Sequence, residues 1–398
     1  MWTRSSRSGR RRLSLAALAL GVLCAPGVAR ANPDCSSLPS PIYGIGGSSH
    51  QPLIAKFAAV LAGQTSPVTV VYQAPGACNG INALLGSTTI SGTATYWDTS
   101  AVAHTCNLPT AGQAVTFANM GITATSCPGV ASLPSTIGDF PGPISAYELV
   151  VPLQSSQQSI SAEGVYFVYG FGATGQASPW TDETQIIKRD QNSAATVFIS
   201  LATGVPALKF HGVDGKSNTG VVTAVSTAAT PEKAIGYLSS DVADANRATV
   251  RPLAYQHFGQ SCGYWADSTA TTFDKANVRD GQYELWGATH FFAAIDNTGK
   301  VTDANTKTFI DYVTLATALP APGDGVKLQI ASGNIPTCAM HVKRTTDLGP
   351  VQSYLPAAPC GCYFDKLATG STTCATCASN ADCPSSAPTC RNSFCEVR

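Results

Sequence analysis

The stretch Gly44-Ile45-Gly46-Gly47-Ser48-Ser49 leads directly into a periodic apolar segment. In that segment apolar residues recur at helical spacing, and Gly63 stands where a glycine often ends a helix. The pattern predicts a helix that follows a glycine-rich turn, with Ser48 or Ser49 as its N-cap. The apolar positions of this helix are Leu53, Ile54, Phe57, Val60 and Leu61.

A second helix start is predicted at Asn192-Ser193, ahead of an apolar run over residues 194–202 that stops at Gly204. Elsewhere short β-type runs alternate with helix-type segments, and no internal repeat is apparent. This alternation predicts an α/β fold. Examples of the alternating segments are residues 68–72, 148–152, 164–169 and 308–315.

Length and composition narrow the class of protein. A chain of 398 residues is long enough for about two domains of ~100 to 200 residues each. With 44% hydrophobic and 12% charged residues it has the composition of a folded protein. The formal net charge is zero, and basic residues do not run together beyond the first dozen positions. We therefore expect no nucleic-acid partner.

Residues 1–31 have the three parts of a secretory signal peptide: a basic start, an apolar run over 13–22 and small residues at the end. We predict cleavage after Ala31 and export to the periplasm or out of the cell. A membrane anchor is the alternative, but the apolar run is shorter than the ~20 residues needed to span a bilayer. Cys24 follows Leu23, where a lipoprotein signal needs a small residue.

The chain has fourteen cysteines, of which one, Cys24, lies in the predicted leader. This richness suits an oxidising compartment, so we expect disulfides, with one thiol left free or linked to another chain. Seven cysteines crowd into a small, polar tail at residues 356–398, which we interpret as a disulfide-rich appendage. Cys374 and Cys377 could also form half of a zinc site, but no histidine is close to them in sequence.

Helix starts suit anion binding, because their first backbone N–H groups are free and the helix dipole is positive there. Two converging helix starts would make a pocket, and Arg189 lies close before the second one. Its guanidinium is a planar, permanently charged fork that matches an oxyanion. The alternative reading is that the serines are simple caps and Arg189 is a solvated surface charge.

Over residues 40–290 the chain resembles the phosphate-binding proteins of bacterial ABC uptake systems, which are class II periplasmic binding proteins. The resemblance begins with the glycine-rich turn, hydroxyl residue and first helix over residues 44–57. It continues through further motifs in the same order and at similar spacing. These are Val71-Tyr72-Gln73 and Gly80, Trp180 with residues 188–193, residues 220–222 with 234–237, and residues 277–283.

The resemblance implies two α/β lobes that close on a ligand in the cleft between them. It places lobe 1 at residues 40–147 and 252–350, and lobe 2 at residues 148–251. The crossing strands would lie near residues 146–152 and 249–255. The disulfide-rich tail would be an addition to this fold.

The resemblance also implies an anion site. The family's first hydroxyl ligand falls on Ser48, its arginine on Arg189 and the serine at the second lobe's helix start on Ser193. The Gly-Thr that follows this serine is Ala194-Ala195 here, although backbone N–H groups at both positions can still bind. The family's buried aspartate aligns with Thr95, which can donate as well as accept a hydrogen bond.

The family's second serine falls near Ala77-Cys78, and Asp98 is the carboxylate nearest to Thr95 in sequence. A buried carboxylate accepts a hydrogen bond from protonated phosphate and repels fully ionised anions. Because Thr95 aligns with that carboxylate here, we expect phosphate as the ligand but weaker selection against other oxyanions such as sulfate. An ABC permease is the partner that the resemblance implies. We expect a soluble monomer with no cofactor, no metal and no catalytic residue.

Two alternatives stay open. One is a cell-surface or secreted protein of this fold that binds no ligand, or a different one; there Arg189 would lie on the surface or pair with a local carboxylate such as Asp190. The other is a secreted hydrolase that uses serine and histidine. None of the six histidines lies in a recognised catalytic motif. His50, beside Ser48, forms the one pair close in sequence, and its position at a helix start favours the surface.

Overall fold

The computed structural model describes residues 32–397, so the predicted leader at residues 1–31 lies outside the described residues. None of the helices within residues 32–397 is long and apolar enough to cross a membrane. The helices are α1 (Gln51–Ala62), α2 (Ala77–Leu85), α3 (Ala162–Phe171), α4 (Ala194–Thr203), α5 (Asn218–Ser226), α6 (Ser240–Ala245), α7 (Ala276–Arg279), α8 (Ala304–Val313), α9 (Gly325–Ala331) and α10 (Gly361–Thr369). The strands are β1 (Ile42–Gly46), β2 (Val70–Gln73), β3 (Thr89–Ile90), β4 (Thr93–Trp97), β5 (Ala103–Asn107), β6 (Gln113–Ala114), β7 (Phe117–Met120), β8 (Ile137–Pro152), β9 (Ser159–Ser161), β10 (Ile187–Lys188), β11 (Val213–Asp214), β12 (Gly236–Ser239), β13 (Val250–Pro252), β14 (Ala254–Gln256), β15 (Trp286–Ala294), β16 (Val342–Lys343), β17 (Gln352–Ser353), β18 (Thr389–Arg391) and β19 (Phe394–Glu396).

A nine-stranded mixed sheet organises the protein, with strand order β12-β8-β15-β7-β1-β2-β4-β5 and β13 paired to β8. At its centre β1 pairs in parallel with β2 and β7. The strands toward both edges are antiparallel to their neighbours. Parallel pairing requires a crossover, and α1 supplies it between β1 and β2. The carboxyl end of β1 therefore opens toward a helix start, where ligands bind in many α/β proteins.

The first predicted helix exists, but its predicted cap is wrong. A short 3-10 turn at Ser48–His50 follows Gly47, and α1 begins only at Gln51, with no side-chain cap. Pro52 stands in the first turn, where its fixed φ suits a helix and its missing N–H costs nothing. The helix ends at Gly63, as predicted.

The second predicted helix is confirmed together with its cap. Ser193 is the N-cap of α4, and its Oγ accepts from the N–H of Thr196 at 3.4 Å. Gly204 ends the helix in the left-handed region at φ +75°, which favours glycine. Of the alternating segments, residues 68–72 and 148–152 overlap β2 and β8, whereas residues 164–169 and 308–315 overlap α3 and α8.

Helices pack on the sheet through apolar clusters. On one side α1 and α8 pack on the central strands through a cluster that includes Leu53, Phe117 and Phe309. At the other end of the sheet α5 packs on β8 and β12 through Val221 and Leu238. Strand β8 runs through the predicted lobe boundary at residue 147, and β13 pairs with its last residues. The lobe boundaries themselves stay a prediction.

Disulfides join Cys35–Cys106, Cys78–Cys127, Cys338–Cys360, Cys362–Cys374, Cys377–Cys390 and Cys383–Cys395. Cys262 is unpaired and exposed. Cys374 and Cys377 are each tied to another cysteine, which removes the thiolates that a zinc site would need. The C-terminal region is therefore disulfide-rich, as predicted.

The tail packs on the rest of the chain. The Cys338–Cys360 bond joins its first cysteine to the body. The buried Arg279 pairs with Asp365 of α10 at 2.5 Å and lies 4.9 Å from the centroid of the Phe364 ring. Glu396 of β19 accepts from the N–H groups at the start of α10. The tail is thus fixed at its first helix.

Five ionisable side chains, three buried and two partly buried, cluster against β8. Lys275 pairs with Asp244 at 2.7 Å and with Asp267 at 2.9 Å, and Arg247 pairs with both carboxylates at 2.6 Å. One oxygen of Glu148 lies within 4.8 Å of one carboxylate oxygen each of Asp244 and Asp267. Neither Glu148 oxygen has a hydrogen-bond partner in the described residues. Two cations already balance two aspartates, so an ionised Glu148 would leave an uncompensated charge. Burial accordingly raises the pKa of Glu148 from its ordinary 4.5 to about 8.

We predict that Glu148→Gln removes a pH dependence of stability. In the folded protein Glu148 holds its proton up to about pH 8, whereas in the unfolded chain it loses it near pH 4.5. The free energy of unfolding should therefore fall between these two pH values, by up to about 5 kcal/mol. Urea unfolding at pH 5, 6.5 and 8 should show this decline in the wild type and a flatter profile in Glu148→Gln. Exposed Glu163→Gln is the matched control, and parallel profiles for the wild type and Glu148→Gln would contradict the prediction.

Candidate anion-binding site

A small cavity lies where the starts of several helices meet. The volume open to the centre of a water-sized sphere is about 70 Å³. A single water needs about 10–15 Å³ by this measure, so the space suits a few waters or one small ion. Its lining comes from the 3-10 turn before α1 and from the starts of α2, α4, α5 and α6. The lining residues are Gly47, Ser48, Ser49, Ala74, Pro75, Gly76, Ala77, Tyr147, Arg189, Asp190, Ser193, Ala194, Ala195, Lys216, Asn218 and Ser239.

The first wall of the cavity is built by close backbone contacts at the end of β1. A Cβ on Gly46 would lie 1.9 Å from the carbonyl oxygen of Asn119 on β7, so only glycine fits there. The N–H of Gly76 donates to the Gly46 carbonyl at 3.1 Å, which places the start of α2 beside β1. The Tyr72 hydroxyl donates to the Gly47 carbonyl at 2.9 Å and holds the turn. The N–H groups of Ser48 and Ser49 stand at this helix start.

The second wall is the start of α4, and a backbone hydrogen bond joins it to the first. The N–H of Cys78 in α2 donates to the carbonyl of Asn192 at 3.1 Å. Ser193 caps α4, so the N–H groups of Ala194 and Ala195 are the first of the helix and have no intrahelical acceptor. Both residues line the cavity. Two helix starts therefore face one small space, and their dipoles favour an anion in it.

Arg189 supplies the positive charge of the site. Its backbone N–H donates to the Tyr237 hydroxyl at 2.9 Å, and its carbonyl accepts from the Thr196 hydroxyl at 3.2 Å. Its Nη1 donates to Oδ1 of Asn218, while its Nε is buried without an acceptor in the described residues. Burial lowers the pKa of Arg189. A guanidinium nevertheless keeps its charge in proteins.

No carboxylate lies within 4.0 Å of the Arg189 guanidinium in the part of the chain that the structure describes. Asp190 lines the cavity, but it is exposed and its Oδ1 accepts from the N–H of Asn192 at 2.9 Å. Lys216, at the rim, pairs with Asp214 at 3.0 Å. Arg189 is thus a partly buried charge that faces a cavity and makes no ion pair within the described residues, although the more distant charges of Asp214 and Asp190 partly offset the effect of burial.

His50 is buried, so the expectation of a surface position is wrong. The residue is 1% exposed and packs behind the cavity wall. A Cβ on Gly121 would lie 2.2 Å from the Tyr147 hydroxyl and 2.9 Å from Cε1 of His50, so the two side chains meet at that glycine. Burial lowers the pKa of His50 to about 4, which leaves the ring neutral at physiological pH.

The structure brings five of the six predicted ligand residues to this cavity: Ser48, Arg189, Ser193, Ala194 and Ala195. Thr95 does not line it. Thr95 lies on β4 opposite Tyr72, in a separate groove with Thr93 and Thr105 that borders the cavity at Ala74 and Pro75. Asp98 is also elsewhere, with its carboxylate bound to His104 at 2.9 Å.

Several lining residues were missed by the sequence reasoning. Asn218 begins α5 directly after its cap Ser217, a local signal that could have been found. Ser239 is likewise the residue before α6. Tyr147 and Gly47 carry no such local signal. Tyr147 reaches the cavity from the middle of β8, and its hydroxyl donates to the Gly121 carbonyl at 2.9 Å.

No protein-family model matches the chain by sequence, and no curated protein does. Solved structures do match it by shape. A candidate phosphate ABC transporter substrate-binding protein from Clostridium perfringens, solved with bound phosphate, superposes with a TM-score of 0.51 at 13% identity and covers 75% of this chain and 100% of its own. An ABC-type phosphate transport receptor from Vibrio cholerae gives a TM-score of 0.48 at 17% identity and covers 74% of this chain and 99% of its own.

The chain therefore has a mixed α/β fold like that of this solved substrate-binding protein, with a disulfide-rich C-terminal region in addition. Its solved structural neighbours include phosphate-binding proteins of ABC transporters. At this level of identity the similarity concerns the fold.

We predict that Gly80→Ala destabilises the protein, although alanine is the better helix former by about 0.5–1 kcal/mol. A Cβ at Gly80 would lie 2.8 Å from Cα of Gly46 and 2.9 Å from the carbonyl oxygen of Ile45. The added methyl group should push α2 away from β1 and lower the free energy of unfolding by about 1–3 kcal/mol. Urea unfolding measures this change. Gly63→Ala is the matched control, since its nearest contact is 3.4 Å away. Equal effects of the two substitutions would refute the close approach.

Proposed function

We propose that this protein captures phosphate or a related tetrahedral oxyanion in the cavity around Arg189. One observation carries the proposal: a partly buried guanidinium without a carboxylate partner faces a space at which helix starts converge. A buried charge is costly unless an opposite charge compensates it. A bound oxyanion would supply that charge and would accept from Arg189 and from the backbone N–H groups of Ala194 and Ala195.

The size of the cavity supports a small ligand. About 70 Å³ of space leaves no room for a nucleotide or a peptide in this conformation. Ser48 and Ser193 add hydroxyl groups from the two walls, which can donate to one oxyanion from opposite sides. Thr95 is outside the cavity, so the proposed ligand set is Ser48, Arg189, Ser193, Ala194 and Ala195, with Asn218 orienting the arginine.

The protein would act outside the cytoplasm as a solute-binding protein. Six disulfides within the described residues favour an oxidising compartment, in line with the predicted export to the periplasm or out of the cell. Delivery to an ABC permease is the use that the fold suggests. A soluble monomer without a cofactor is sufficient for this role.

The geometry favours this proposal over the two alternatives. A protein that had lost its site would leave Arg189 paired or on the surface, whereas here it lines a cavity without an ion pair. A serine hydrolase would need a histidine within hydrogen-bond reach of a serine. Within residues 32–397 neither Ser48 nor Ser193 is hydrogen-bonded to a histidine, and Ser193 instead caps α4.

We predict that Arg189→Ala weakens phosphate binding by about 10- to 100-fold, because hydrogen bonds to charged groups contribute about 1.5–3 kcal/mol. Isothermal titration of the purified protein with phosphate and with sulfate measures the effect. The variant without ligand should be at least as stable as the wild type, since it loses a partly buried charge that makes no ion pair in the described residues. Thermal unfolding checks this point.

Lys209→Ala is the matched control, because it removes an exposed positive charge that does not line the cavity. It should bind phosphate like the wild type. A folded wild-type protein that gives no heat with either anion would reject the proposal in favour of a non-binding protein of the same fold.

We predict weak discrimination between phosphate and sulfate, within about tenfold in Kd. Asp190 is the one carboxylate among the residues that line the cavity, and it is exposed. Repulsion by an exposed charge is worth about 0.2–1 kcal/mol, so Asp190→Asn should tighten sulfate binding by up to about fivefold. Titrations of the wild type and of Asp190→Asn with phosphate and with sulfate test this prediction. A wild-type preference for phosphate of a thousandfold or more would show that another acceptor selects the protonated ligand.

A further inference from the structure

A second cavity, which shares no lining residue with the Arg189 site, lies under the hairpin formed by β16 and β17. Its volume is about 220 Å³. The floor is formed by β8 and β15, with Ile144 and Ala288 as paired neighbours. Trp286 and Tyr354 supply aromatic walls, so the lining is largely apolar.

Two buried N–H groups at this cavity have no acceptor. Trp286 is 1% exposed and the side chain of Arg344 is 3% exposed, and both line the cavity. Nε1 of Trp286 and Nε of Arg344 are each buried without a hydrogen-bond partner in the described residues. The guanidinium carbon of Arg344 lies 4.0 Å from the centroid of the indole, so the two donors belong to one stacked pair. Unpaired buried donors are rare, and they call for an acceptor beside them.

The charge around the cavity indicates which acceptor suits it. Arg344 already pairs with Glu284 at 2.9 Å through Nη2. Lys343 is exposed, lies 5.7 Å from the centroid of the Tyr354 ring and makes no ion pair within the described residues. The rim is thus positive, whereas the interior is apolar and lined with aromatic rings. A ligand with an aromatic body and a carboxylate complements both features.

The main sheet is irregular at this place. The register between β15 and β8 shifts between Ala288 and His290, so that one residue of β15, Thr289, faces two residues of β8, Gly142 and Pro143. Gly142 lines the cavity. Bulges bend a strand and often lie next to functional sites.

We propose that this cavity binds a small aromatic carboxylate, whose oxygen accepts from the N–H groups of Trp286 and Arg344 and whose charge faces Lys343. The site is independent of the oxyanion site, because the two share no lining residue. The proposal therefore stands or falls separately from the proposed function.

The test uses benzoate as the probe, with acetate and benzyl alcohol as controls that lack the ring or the charge. Isothermal titration of the purified protein should show benzoate binding at submillimolar concentration and much weaker heats for both controls. Ala288→Leu fills the cavity and should weaken benzoate binding at least about tenfold. Lys343→Gln, an exposed substitution that leaves the fold intact, should weaken it about two- to fivefold.

Two further variants decide where the benzoate binds. Trp286→Phe keeps the aromatic wall but removes one donor, so it should weaken benzoate binding several-fold. Benzoate should also change the tryptophan fluorescence of the wild type, and this change should be smaller in Trp286→Phe. Arg189→Ala should leave benzoate binding unchanged. The proposal is overturned if benzoate gives no heat up to 10 mM, which would mean that the donors bind water only. It is also overturned if binding ignores Ala288→Leu and Lys343→Gln, or if Arg189→Ala abolishes it.

Discussion

The first N–H groups of a helix have no partner within that helix, and this constraint organises the centre of the molecule. The starts of α2 and α4 are locked together by the hydrogen bond from Cys78 to Asn192, and the turn before α1 is held beside them by Gly46. These contacts are between backbone atoms. They place several free donors around one small space before any side chain contributes.

The protein treats its buried cations in two different ways. Lys275 and Arg247 lie among carboxylates that match their charge, at distances of 2.6–2.9 Å. Within residues 32–397 the Arg189 guanidinium has only the neutral amide of Asn218 as a side-chain hydrogen-bond partner. The first arrangement resembles a structural ion-pair network, whose members satisfy one another. The second leaves a charge that makes no ion pair within residues 32–397, and this contrast within one chain is the reason to assign a ligand to Arg189 and none to Lys275.

Local patterns allowed parts of the fold and of the site to be predicted. The start of α4 follows from Ser193, the apolar run and Gly204, all within a few residues of one another, and the structure confirms it. The fold class follows from the order of such segments. Ser48, Arg189 and Ser193 meet at one cavity because each stands beside a helix start or a strand end that the pattern could locate.

Long-range contacts account for what the sequence could not predict. His50 looked like a surface residue at a helix start, but Gly121 and Tyr147 arrive from distant parts of the chain and bury it. The position of Thr95 depends on the register between β4 and β2, which no local signal specifies. The disulfide pairing of the tail is likewise a matter of spatial proximity rather than of spacing.

A site built from backbone donors has a further consequence for how its sequence can change. The two residues after Ser193 are alanines here. Their backbone N–H groups nevertheless stand at the start of α4, as those of any other pair of residues would. What such a site cannot lose are the glycines that permit the close approach, such as Gly46 and Gly80, and the partly buried cation Arg189. Selectivity is different, because it depends on side-chain acceptors such as Asp190, which can change without any effect on the backbone. Binding of an oxyanion and the choice among oxyanions are therefore separable properties of this fold, and the first is the one that its backbone geometry supports.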